Sequence, residues 1–118
     1  MQLPSKKLLS EVLGVNIKDI YKIGSNPNLS NNILPYSIRG CGDLEEINIY
    51  ELSHKCKKWA EFIYKVDGSE IKLKSYGKSC EIYTRNHAKP YILKDFDAKT
   101  EPEAIFKACE WVLNNKDK

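Results

Sequence analysis

The chain has no Cys-x-x-Cys pair, no glycine-rich phosphate loop, no dinucleotide fingerprint and no pair of catalytic carboxylates at a telling spacing. Redox centres of the thioredoxin type, nucleotide hydrolases and dinucleotide-dependent enzymes therefore lose their usual sequence marks. Long apolar runs are missing too. Nothing after Lys6-Lys7 has the length of a signal-peptide core, and no stretch approaches the roughly 20 apolar residues of a membrane span. The expectation is a soluble, unexported protein without a membrane partner. A dominant charge sign is also absent: 19 basic against 16 acidic residues leave a net charge of +3, too mild to argue nucleic-acid binding by itself. There is no internal repeat and no low-complexity tail. At 118 residues the chain reads as one α+β domain with a single modest core.

Four cysteines are present, Cys41, Cys56, Cys80 and Cys109, and they are widely spread. In a chain without an export signal they read as free thiols of a reducing compartment. A Ser at position 5 and a Gly at position 14 frame "SKKLLSEVL" as a short helix, with Leu8, Leu9, Val12 and Leu13 at helical spacing. Lys6 and Lys7 in its first turn read as solvated. "VNIKDIYKI", 15–23, alternates enough to suggest a strand, and 24–32 is rich in turn residues. "ILPYSIR", 33–39, suggests a short edge strand, because Pro35 cannot donate to a ladder on both sides. Residues 1–43 are the less defined part, and 44–114 the helix–meander–helix core.

The clearest helix begins near Asn48, and a bend at "RGCGD" would lead into it across 44–63. Ile49, Leu52, Cys56, Trp59 and Ile63 form one apolar stripe, and Asn48 with Glu51 resembles a capping box. Then comes "EIKLKSYGKSCEIYTR". A two-residue turn at Gly77-Lys78 pairs Tyr76 with Ser79, Ser75 with Cys80, Lys74 with Glu81, Leu73 with Ile82, Lys72 with Tyr83, Ile71 with Thr84 and Glu70 with Arg85. That register puts Ile71, Leu73, Cys80, Ile82 and Thr84 on one face and two opposite-charge pairs on the other. "YILKDFDA" supplies a third strand. Thr100, Pro102 and Glu103 then open a final helix whose buried side is Ile105, Ala108, Cys109, Val112 and Leu113. The predicted fold is α+β, a three-stranded antiparallel meander over 70–98 packed with two to three helices.

Three stretches, "LPSKKLLSEVLG", "EINIYELSHKCKKWAEF" and "DAKTEPEAIFKACEWVL", together resemble small uncharacterised proteins encoded by bacteriophages and prophages. Across 44–113 the chain is also similar to the phage ABA-sandwich domain, most clearly in its closing strand-to-helix segment. Residues 15–43 carry no part of the resemblance. What it implies is a phage or prophage gene, expression in the cytoplasm of a bacterial host, and a helix–sheet sandwich. It brings no catalytic motif and no cofactor.

A thiolate enzyme could be drawn from Cys41, with Arg39 beside it and His54 or His87 as base. Only Arg39 makes those surroundings electropositive, so "RGCGD" reads as a bend whose glycines give backbone freedom. A zinc site from Cys41, His54, Cys56 and Cys80 is disfavoured, because residues i and i+2 on a helix do not face each other. The expectation is thus no enzyme, no metal and no cofactor. Two binding readings remain. In the first, the chain binds a host protein or a small ligand and counteracts a host enzyme or defence system, through Tyr36, Tyr76, Tyr83, Tyr91 and Phe96 with Arg39 and Arg85 as polar anchors. In the second, Lys72, Lys74, Tyr76, Lys78, Tyr83 and Arg85 hold nucleic acid on the hairpin's polar face. Glu70 and Glu81 on that face count against the second.

Overall fold

The structure, a computed structural model, describes residues 4–22, 33–39, 44–66, 69–86 and 89–116. In chain order these form α1 (Lys6–Leu13), a 3-10 turn (Ile17–Asp19), β1 (Ile20–Lys22), β2 (Ile33–Arg39), β3 (Leu44–Asn48), α2 (Ile49–Ile63), β4 (Lys65–Val66), β5 (Ser69–Tyr76), β6 (Ser79–Asn86), β7 (Lys89–Asp97) and α3 (Glu101–Asn115). Two antiparallel sheets result, β1-β2-β3 and β4-β5-β6-β7. The class is α+β.

The β5–β6 hairpin has the register that alternation and charge predict, from Tyr76↔Ser79 through Ile71↔Thr84. Gly77 opens its turn at φ 50°, a left-handed conformation that glycine adopts without a Cβ penalty. Ile71, Leu73, Cys80, Ile82 and Thr84 are all buried on one face. β7 completes the meander with a bulge between its pairings to Ile82 and Tyr83, and two-residue β4 extends the sheet beyond the predicted three strands.

Two helices, α2 and α3, cover the inward face, and α1 packs on them. α3 lies against β5, β6 and β7 on one side and against α1 and α2 on the other. Its burial is correspondingly wide: Pro102, Glu103, Ala104 and Phe106 are inside as well as the five residues of the predicted stripe. The Thr100 hydroxyl accepts from Glu103 N–H at 3.4 Å and caps it. α2 starts where expected, with Asn48 Oδ1 accepting from Tyr50 and Glu51 N–H at 3.0 and 3.1 Å. Ser5 caps α1, and Gly14 ends it at φ 67°. A relay of side chains ties three elements together: Lys57 Nζ donates to Ser75 Oγ (3.3 Å), which donates to Glu101 Oε1 (3.0 Å). The buried apolar residues form one cluster that also takes in Ile20 and Ile47 of the smaller sheet.

Several expectations are corrected. Residues 44–48 are a strand, not the first turn of the long helix, and among the described residues of the β-like 15–23 stretch only 20–22 pair as a strand. β2 is central, not an edge. Pro35 sits where its pairing with β3 is interrupted between Ile33 and Ser37, so no ladder bond is asked of its missing N–H. On α2 the inward stripe turns through Ser53 and Ala60, which leaves Ile63 40% exposed. Residues 40–43, with Cys41 and the predicted bend, and residue 87 lie outside the described part, as do the side chains of Arg85 and Tyr91.

Candidate binding surface

Alternation along β5 and β6 that buries one set of side chains presents the other set to solvent. Lys72, Lys74, Tyr76 and Tyr83 stand together on this outward face, with Lys78 in the turn at its end. β7 adds Ile92, opposite Tyr83, and Asp95 and Asp97, opposite Glu81 and Ser79. Helix α2 runs beside the β5 margin. Between them lies a groove of about 450 Å³ lined by Lys58, Glu61, Phe62, Glu70, Ile71 and Lys72.

The charges of this face are arranged differently from the predicted cross-strand pairs. Lys74 lies over the Tyr76 ring, with Nζ 5.3 Å from its centroid. The Tyr76 hydroxyl donates to Glu81 Oε2 at 2.9 Å. That hydrogen bond is the main reason the phenol's pKa lies above its ordinary value. Glu81 is thus engaged by the tyrosine diagonal to it, and Lys74 by the ring two residues along its own strand. Lys72 reaches to Glu61 of α2 at 3.6 Å. At the far corner Ser79 Oγ donates to Asp97 Oδ1 at 2.7 Å. With Glu81, Asp95 and Asp97 in place, the face is a mosaic of both signs rather than a basic strip.

Arg39 does not join the hairpin residues. It stands on β2 of the other sheet, stacked over Tyr21 at 4.6 Å. Tyr36 and Phe96, expected as exposed aromatics, are half-buried against the core. Tyr76 is exposed as expected, and the large apolar side chains that face solvent most are Phe62, 81% exposed, Ile92 at 56% and Tyr50 at 51%. Phe62 shares an arc of α2 with Glu51, Lys55 and Lys58, all exposed. A bulky aromatic on a helix's charged arc is a signal present in the sequence that the apolar stripe conceals.

The buried thiols have a different character. Cys56, Cys80 and Cys109 are free and fully buried, on α2, β6 and α3. Burial pushes the Cys80 thiol up to about 11. Burial, then hydrogen bonding with Cys56, also raises Cys109. Protonated thiols inside a core are poor nucleophiles. His54 is exposed while Cys56, two residues on, is buried, so the pair faces opposite ways. Among the described residues no group of three or more His, Cys, Asp or Glu side chains could hold a metal ion. No helix among them is long and apolar enough to cross a membrane. A second cavity, lined by Leu13, Ile38, Ile47, Asn48, Glu51, Leu52 and Lys55, holds about 80 Å³.

No protein-family model, curated protein or solved structure matches the chain.

Proposed function

We propose that this chain is a non-catalytic accessory protein of a phage or prophage, acting in the cytoplasm of the bacterial host by binding a host protein and so blocking a host enzyme or defence system. The observation that carries the binding reading is Phe62, 81% exposed beside a groove of about 450 Å³. With Ile63 beside it, 40% exposed, Phe62 leaves apolar area in water on an otherwise charged helix, and aromatics are enriched as anchors of protein interfaces. A protein suits the groove better than a small ligand, because it is an open trough between a helix and a strand rather than an enclosed cavity. The origin and the host target rest on the resemblance of the three sequence stretches.

The second reading, nucleic-acid binding, is favoured by Lys72, Lys74, Tyr76, Lys78 and Tyr83 sharing one surface. Glu81, Asp95 and Asp97 on the same side weaken it, since carboxylates repel phosphates. The test is recovery of partners from host lysate with and without nuclease. Specific, nuclease-resistant recovery of a protein supports the first reading. Recovery that disappears with nuclease, with affinity falling steeply in salt, replaces it with the second. Recovery of neither class refutes both.

A further inference from the structure

We draw no further inference here: the strongest candidate, the outward face of β5–β7 with Tyr83 and Ile92 at its centre and the Phe62 groove at its margin, carries nothing because its mixed charges, Lys74 against Glu81, Asp95 and Asp97, favour no one occupant and nothing in the structure shows what covers it.

Discussion

The two faces of the four-stranded sheet are made by alternate residues of the same strands and have opposite physics. Inward, Ile71, Leu73, Cys80, Ile82 and Thr84 are buried beneath α2 and α3 and exclude water. Outward, Lys72, Lys74, Tyr76, Glu81, Asp95 and Asp97 face solvent, held by one ring contact and a few hydrogen bonds. The inward face supplies stability through packing that tolerates little change. The outward face and its margin can vary at small energetic cost, which is where a binding role can be placed without unfolding the chain.

The contrast is tested most severely by truncating aromatics. Phe106, 2% exposed on α3, should cost about 3–5 kcal/mol on replacement by alanine. Phe62→Ala should change stability by no more than about 0.5 kcal/mol. Denaturant titration of both variants checks this, and comparable losses would break the distinction. A second difference emerges at alkaline pH. The folded Cys80 thiol titrates near about 11, above the ~8.5 of an unfolded cysteine. Below the unfolded value both states keep the proton and stability is unaffected. As pH rises from there toward the folded value, the unfolded chain releases a proton that the folded one retains, so stability falls. Denaturation midpoints followed across this window should drop. Thiol reagents should leave Cys56, Cys80 and Cys109 unmodified in the native protein and react with them only on unfolding.

Thr84 sharpens the comparison further. Its buried hydroxyl finds no hydrogen-bond partner among the described residues, on a face that is otherwise apolar. Thr84→Val keeps the shape and removes the desolvated group, and should raise stability by about 1 kcal/mol in the same titration. The smallest effect belongs to the outward face. Glu81→Gln removes the carboxylate that accepts from Tyr76, so the phenol should titrate closer to its ordinary value, as read from its ring carbon shifts.

Both faces are legible in the amino-acid sequence because two independent signals agree over 71–84. The period of two separates apolar from charged positions, and only one register sets unlike charges opposite each other. Thr100 and Asn48 are legible as caps because a side-chain acceptor precedes an apolar stripe by a fixed interval. The smaller sheet is not legible in this way. β1 is three residues long, and in β3 an acidic pair separates Leu44 from Ile47, so neither has enough alternation to register. Their pairing with β2 is decided by tertiary contact. Pro35 misleads because the rule against central prolines assumes an unbroken ladder. The β7 bulge is hidden because an extra residue is a property of two strands together. Of the surface, Lys72, Lys74, Tyr76 and Tyr83 fall together on sequence pattern alone, while Arg39 is separable from them only once two sheets are known to form. Phe62 escapes notice for its position: it falls one residue before the stripe's expected end at Ile63.

The Ser5 N–H donates to Glu110 Oε1 at 2.7 Å, and Lys116 lies 4.0 Å from Glu11. These contacts join residues far apart in the chain, the first of them 105 positions, and they set an order for folding during synthesis. α1 is translated early, but its contacts with α3 cannot form until the last described helix has left the ribosome. The β5–β6 hairpin, whose pairings span a two-residue turn, needs no such wait. Until α3 arrives, that hairpin's apolar face lacks its main cover and is open to other nascent chains. A pause in translation before position 101 would therefore put the protein at greatest risk of aggregation, and slow release of the final turns should lower its yield more than slow synthesis of the first.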